Sequence, residues 1–479
     1  MTDSILDIFS SVTAVNSQSS EMRYHGFRLD AGFFNPDKIS AENRIKKSGM
    51  SFEPLKKIAH SYNSNIRGRI FTDQENGVAL LTGRNLDITN EDDFDYVSKD
   101  LTPQIETEQL QSEDILMSCQ GTIGKLDYVW QNHETKIASQ QLIRIRAYKE
   151  IVDPGYLYTV LASPLAQSII TNQSAGSVIE HLSTDLLDSI NVPRLSKESE
   201  KVIGDYVRES FSARADAREI LNAADSLIHE VNSLLKLLKK ETECYDPERS
   251  IESVIVSSSG VLLNNHSGSE YRLDAHYYNP LAQLAIKNIG QSKSVVKTID
   301  KVTERVFMCG RFKRNYVEEE YGVPFLSGKN IIQIRPTDLK YLSKSETTDL
   351  DEYILEKKWT LITCSGTIGR TCFVWNNYEN YAATQHIIRA VPNEEVIDPG
   401  YLYAFLSSPY GKQQVLRFRH GSVIDEVTDR QIKKVLIPLP SETDQKTIGD
   451  LVRSAYEKRA EAIRLIDEAQ QILMVALTQ

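Results

Sequence analysis

Cysteine is scarce in this chain of 479 residues. The five that occur, Cys119, Cys244, Cys309, Cys364 and Cys372, are odd in number and form no C-x-x-C pair. A disulfide framework and a zinc knuckle are therefore not expected, and a reducing cytoplasm fits. Long apolar runs are missing too: no stretch of about 18 apolar residues occurs, so no transmembrane helix and no membrane partner are expected. The chain opens Met1-Thr2-Asp3-Ser4 with no basic stretch before an apolar core, so no signal peptide is expected. Motifs of catalysis are absent as well. No Gly-x-Gly-x-x-Gly follows a strand, and neither His-Glu-x-x-His nor Gly-x-Ser-x-Gly occurs. Asn35-Pro36-Asp37 and Asn279-Pro280-Leu281 lack the second proline and the aromatic of a methyltransferase motif. His133, His181 and His386 read as packing or surface histidines. No catalytic residue, cofactor site or metal site is expected. Net positive charge is also wanting: the balance of −11 argues against indiscriminate polyanion binding but leaves a local basic patch open.

What is present is a duplication. Asp153-Pro154-Gly155-Tyr156-Leu157-Tyr158 recurs letter for letter at Asp398-Pro399-Gly400-Tyr401-Leu402-Tyr403, an offset of 245 residues. The same offset carries Gly121-Thr122-Ile123-Gly124-Lys125 onto Gly366-Thr367-Ile368-Gly369-Arg370, and Gly176-Ser177-Val178-Ile179 onto Gly421-Ser422-Val423-Ile424. It carries Ile203-Gly204-Asp205 onto Ile448-Gly449-Asp450; only Arg28-Leu29-Asp30-Ala31 and Arg272-Leu273-Asp274-Ala275 slip to 244. That period is far too long for a solenoid and predicts two copies of one fold related by a pseudo-twofold.

Each copy reads as a mixed domain followed by a long helix. Strands are expected at Gly77–Leu81, Asp114–Ser118, Lys125–Trp130 and Gln141–Arg146, and again at Val323–Leu326, Thr360–Thr363, Cys372–Trp375 and His386–Arg389. Pro154 and Pro399 punctuate the start of helices holding Tyr156–Leu161 and Tyr401–Leu406. Apolar residues then recur at helical spacing from Ile203 to Leu238 and from Ile448 to Leu477, with no proline over 197–241 or 441–479. At about 1.5 Å per residue the two helices span about 67 and about 58 Å, and an antiparallel coiled coil is the simplest way to pack them. The alternative is two shorter helices bent at Gly204 and Gly449. The fold class is therefore α+β, with boundaries at 1–195 and 244–440 for the mixed domains and 196–243 and 441–479 for the helices. Two domains held apart on such a rod suit a target with dyad symmetry, and half-sites of duplex DNA about 34–36 Å per turn lie within its reach.

Gly121-Thr122-Ile123-Gly124-Lys125 fails as a phosphate loop, because only two residues separate the glycines and Leu126 follows the lysine. A tight turn between strands, with glycines at positive φ, explains it better. Such a turn still offers N–H groups, Thr122 or Thr367, and the cation of Lys125 or Arg370 to a DNA phosphate.

The duplication, the Gly-Thr-Ile-Gly-Lys/Arg turn, Asp-Pro-Gly-Tyr-Leu-Tyr, Gly-Ser-Val-Ile, and Ile437-Pro438-Leu439-Pro440 with Gln445 and Ile448 opening a long helix together resemble type I restriction–modification specificity subunits. The resemblance covers nearly the whole chain. The proline–glutamine signature departs in copy one, where Val192-Pro193-Arg194-Leu195-Ser196 lacks the second proline and Glu200 replaces the glutamine. The resemblance implies two target recognition domains, each reading half of a bipartite site in double-stranded DNA. It implies helices that set the spacing and dock two methyltransferase (modification) subunits, possible restriction or translocase subunits, and no catalytic residue in this chain. A duplicated protein-binding scaffold or inhibitory adaptor without DNA recognition is the alternative.

Positions shared by the copies should serve folding, docking or phosphate contact, and differing polar loops should read the two half-sites. Asn65-Ile66-Arg67-Gly68-Arg69 faces Gly310-Arg311-Phe312-Lys313-Arg314, and Asn172-Gln173 faces Arg417-Phe418, with Arg419 and His420 following. Arginine suits guanine and Asn or Gln suits adenine, so the second half-site is expected to be richer in directly read guanine. Arg84-Asn85 aligns with Lys329-Asn330 as a backbone-contact pair, and Ser177 and Ser422 are expected at helix starts that favour a phosphate.

Overall fold

In the computed structural model the described residues are 50–478 without 67, 90–93, 104, 132, 134, 173–180, 236, 238–273 and 337. Arg28–Ala31, Cys244, Arg272-Leu273 and the 243/244 boundary lie outside them. The chain divides into a first unit, residues 1–215 with 461–479, and a second, 216–460.

Among the described residues the first unit runs through β1 (Phe52–Pro54), α1 (Leu55–Ile58), β2 (Ala59–Asn63), β3 (Phe71–Thr72), β4 (Gly77–Leu81) and β5 (Asp95–Ser98). It continues with β6 (Ile115–Ser118), β7 (Leu126–Tyr128), β8 (Ile137–Ala138), β9 (Leu142–Ala147), α2 (Pro154–Ala162), α3 (Pro164–Asn172), α4 (Thr184–Asp188) and β10 (Asn191–Pro193). The long helix α5 (Lys197–Asn232) follows. The strands form sheets ordered β2-β9-β6-β7 and β3-β5-β4-β8 and the pair β1-β10.

The second unit repeats this plan. Its elements are α6 (Pro280–Gly290), β11 (Val295–Thr298), β12 (Thr303–Phe307), β13 (Tyr316–Val317), β14 (Gly322–Leu326), β15 (Lys340–Ser343), β16 (Thr360–Thr363) and β17 (Thr371–Phe373). Then come β18 (Ala382–Ala383), β19 (Ile387–Pro392), α7 (Pro399–Ser407), α8 (Pro409–Leu416), α9 (Asp429–Ile432), β20 (Leu436–Leu439) and α10 (Glu442–Thr478). The sheets are ordered β12-β19-β16-β17 and β13-β15-β14-β18, with β11-β20 as the pair, so the topology of the first unit recurs. The fold is α+β, a sheet-and-helix unit written twice.

The repeated Asp-Pro-Gly-Tyr motif is explained by packing. Asp153 caps α2 by accepting from the N–H groups of Gly155 and Tyr156 at 2.9 and 3.1 Å, and Pro154 takes the position where a missing N–H costs nothing. A Cβ at Gly155 would meet the Gly204 carbonyl oxygen at 2.6 Å, so α2 and α5 touch backbone to backbone. Gly204 and Gly449 thus serve a close helix crossing, and both long helices run through them without a break. Tyr156 donates its hydroxyl to the Pro193 carbonyl at 2.7 Å, tying α2 to β10. The second unit repeats each contact: Asp398 caps α7, Gly400 meets Gly449, and Tyr401 donates to Pro438 at 2.6 Å.

The departure of copy one from the proline–glutamine signature has a local compensation. In the second unit Gln445 donates to the Pro440 carbonyl at 3.0 Å and accepts from the Asp398 N–H at 3.2 Å. In the first, Glu200 instead takes Arg194 Nε at 2.8 Å and the Leu195 N–H at 3.2 Å. The charge on Glu200 is matched by the arginine that stands where copy two has Leu439.

Helix α5 ends at Asn232, short of the expected Glu241. Ser233 takes φ 55°, while the Asn232 amide donates to the Ile228 carbonyl and the Tyr401 hydroxyl and accepts from Ser294. The buried amide network stops the helix where the apolar stripe alone would continue it. Within the first unit Ile203, Val207 and Phe211 share a core with Ile466, Ala469 and Leu473, and Ser210 donates to the Ala462 carbonyl at 2.7 Å. Within the second, Ala224 and Ile228 share a core with Ile448, Val452 and Tyr456. Among the described residues no helix is long and apolar enough to cross a membrane, and no group of three acidic, His or Cys side chains is placed to hold a metal.

Candidate nucleic-acid interface

The second unit carries a cleft of about 690 Å³ built by five segments of its sheets. The edge before β13 supplies Arg314, and the turn after β14 supplies Ser327, Gly328, Lys329 and Asn330. Lys340 opens β15; Gly366, Thr367 and Arg370 form the β16–β17 turn; Thr384 and His386 lead into β19. Four cations, Arg314, Lys329, Lys340 and Arg370, line it against one carboxylate, Asp338, which lies 3.5 Å from Lys329. A concave surface of that sign concentrates phosphate.

The segment that brings Thr384 and His386 to the cleft is held by a buried arginine. Arg389 is fully buried and donates to the carbonyls of Ala383, Thr384 and Ile387 at 2.5, 3.1 and 2.5 Å. Burial pulls its guanidinium below the ordinary arginine range, and the neighbouring Cys309 and Cys364 act against that pull. Burial also pushes the Cys364 thiol up to about 12. These contacts fix the strand entry that presents Thr384 and His386.

The β16–β17 turn has the geometry expected of Gly-Thr-Ile-Gly. Gly366 and Gly369 adopt φ +73° and +81°, and Gly121 and Gly124 match them at +73° and +83°. Thr363 Oγ1 accepts from the Arg370 N–H at 3.0 Å, and Ser118 Oγ accepts from the Lys125 N–H at 2.9 Å. Thr122 and Thr367 stand exposed at the turn tips, with Lys125 and Arg370 half-buried behind them.

The cleft gathers Arg314, Lys329, Asn330, Thr367 and Arg370 of the residues singled out in the second copy. Arg314 donates to Gln385 Oε1 at 2.7 Å, and Arg69 binds Gln140 in the same way 245 positions earlier. Asn330 and Asn85, expected at the DNA backbone, are buried and their amides work inside the fold. Asn330 Oδ1 accepts from the Ser327 N–H and hydroxyl at 3.0 and 2.6 Å, and Asn85 Oδ1 from those of Thr82 at 3.0 and 2.7 Å. Each closes the turn that presents the preceding cation, Lys329 or Arg84.

Other residues are placed elsewhere. Arg311 and Lys313 are exposed outside the cleft. Arg417 lies 4.1 Å over the Tyr277 ring, and Arg419 donates to His276 Nδ1 at 2.6 Å, so both brace the segment before α6. His420 pairs through its backbone with Glu426, which makes Gly421–Asp425 a loop and not the expected helix start. Gly421, at φ +141°, is far from helical backbone geometry; Ser422 is exposed on the loop, and Ile424 reaches the cleft. Arg67, Gln173 and Ser177 lie outside the described residues, and Asn172 closes α3. Lys340, Tyr316 and Gln385 were not singled out from the sequence. Projecting Arg69 and Gln140 by 245 positions would have found Gln385.

The chain matches the family described as type I restriction modification DNA specificity domain twice, over residues 59–213 and 291–467. No curated protein matches it. Among solved structures it is similar to the type I restriction–modification S subunit from M. genitalium at 11% identity, covering 90% of this chain and 96% of that one, with a TM-score of 0.35. It is similar to the HsdS subunit from Thermoanaerobacter tengcongensis at 13% identity, covering 90% and 97%, with a TM-score of 0.29. A chain from a structural study of assembly and conformational transition in the type I R-M system stands at 14% identity, 90% and 97% coverage and a TM-score of 0.27.

Proposed function

Because this chain belongs to the family of type I restriction modification DNA specificity domains and so serves DNA sequence specificity, we propose that each of its two units reads one half of a bipartite site in double-stranded DNA. The observation that carries the assignment to a surface is the cleft of the second unit, where four cations converge beside the hydrogen-bonding groups of Thr367, Thr384 and His386. Arg370 and the Gly366–Gly369 turn hold a phosphate there, which positions the duplex, and Arg314 reaches a base edge. In the first unit Arg69, Arg84, Thr122 and Lys125 take the corresponding places.

The long helices α5 and α10 act as the spacer and dock two methyltransferase subunits, with restriction or translocase subunits joining the complex. The chain catalyses no step itself; adenine methylation and the methyl donor belong to the partners, and the complex works in the cytoplasm.

Titrating a duplex with the purified chain at rising salt tests the reading. Affinity should fall steeply, with a log–log slope of about −0.9 per neutralised phosphate, and Arg370→Ala should flatten that slope by about one. Binding that ignores salt would reject the cleft as a DNA surface.

A further inference from the structure

At one position of the second unit's cleft the first unit carries the opposite charge: Lys340 stands where the first unit has Asp95. Asp95 and Lys340 each open a four-residue strand, β5 or β15, and each sits opposite the equivalent residue of its neighbour, Leu80 on β4 or Phe325 on β14. Asp95 pairs with Arg84, the cation before the asparagine that closes its turn, and Lys340 lines the same cleft as Lys329, the equivalent cation of the second unit. In the first unit the Asp95 carboxylate takes Arg84 at 2.9 Å, with both side chains more than half exposed. An exposed pair of this kind adds little to stability, so the fold itself gains little from Asp95. In the second unit the same position holds an ammonium, with Lys340 Nζ 4.7 Å from the Tyr316 ring at the rim of the cleft.

We propose that the position shared by Asp95 and Lys340 sets how strongly each unit attracts the DNA backbone, with Lys340 making the second unit the firmer electrostatic anchor and Asp95 masking Arg84 in the first. This rests on the reading of both units as DNA-binding. The exchange changes the local charge by two, from −1 to +1. The screening length is about 10 Å at 0.1 M salt, so a phosphate docking beside either residue feels the difference. The two half-sites are then gripped unequally before any base is read.

The test uses the full chain and a random-sequence duplex of about 30 base pairs, so that only the backbone term is measured. Binding is followed across about 50–200 mM salt for wild type, Lys340→Gln and Asp95→Asn. Lys340→Gln should reduce the salt slope by about one and weaken binding about three- to tenfold at low salt, while Asp95→Asn, by freeing Arg84, should steepen it by a similar amount. Unchanged melting temperatures would show that both variants fold. Slopes equal to wild type, with wild-type binding itself steeply salt-dependent, overturn this inference and leave the DNA reading standing. Salt-independent wild-type binding overturns the DNA reading and this inference with it.

Discussion

Arg208 of α5 donates to both carboxylate oxygens of Asp153, at 3.2 and 2.9 Å, while the same carboxylate caps α2. One acid therefore joins helix α2 of its unit to the long helix. Arg453 and Asp398 repeat the arrangement in the second unit, both contacts at 3.1 Å. The contact explains why the Asp-Pro-Gly-Tyr string and the Ile-Gly-Asp string share one offset: they are the two sides of one joint.

Asp153→Ala should destabilise the first unit by about 2–4 kcal/mol. It removes an N-cap, at about 1 kcal/mol, and leaves a largely buried guanidinium without its strongest acceptor, at about 1.5–3 kcal/mol. Chemical denaturation followed by peptide-resolved hydrogen exchange should place the loss in the first unit; Asp398→Ala should place it in the second.

Gly204→Ala reverses the usual expectation for a glycine inside a helix. Helix propensity alone would favour alanine by about 1 kcal/mol. The added methyl would instead run into the Asp153 carboxylate, so the variant should melt lower than wild type. Gly449→Ala should behave the same way against Asp398. A higher melting temperature for either would remove the close crossing from the account.

Acidification should weaken the first unit through Glu113. Burial works to raise its pKa, but the hydrogen bond and charge of Lys149, with help from Tyr128 and Arg208, hold it below the ordinary 4.5. A carboxylate whose folded pKa is depressed stabilises the fold fully above its unfolded value and loses that contribution as pH falls through the folded one. The loss therefore belongs below about pH 4.5, and Glu113→Gln should flatten melting temperature against pH in that window.

The expectation of a guanine-richer second half-site now rests on Arg314, since Arg417 and Arg419 are turned onto Tyr277 and His276. Mapping methylation in the intact complex should find guanine at the position where Arg314→Ala relaxes selectivity, at about 1–3 kcal/mol of discrimination. A second half-site of A·T pairs alone would leave Arg314 with a phosphate role only.

Much of the architecture was legible because repetition and periodicity are local. The strands at Gly77–Leu81 and Thr360–Thr363 coincide with their expected spans, and the Gly-Thr-Ile-Gly turns have the positive φ that their glycines suggested. The cleft was less legible, because Arg314 meets Thr384 and Gln385 only after some 70 intervening residues have folded back. Asn85 and Asn330 misled because an amide that closes a turn and one that meets DNA carry the same letter, and burial decides between them. The end of α5 at Asn232 depended on Tyr401 and Ser294, which helical spacing does not register.

Residues 461–479 complete the first unit, yet they are synthesised after the whole of the second. A growing polypeptide can therefore close its later half first, while Ile203, Val207 and Phe211 wait with one flank uncovered for Ile466, Ala469 and Leu473. A premature stop a few turns before the end of α10 would injure the half translated earliest and spare the one translated last.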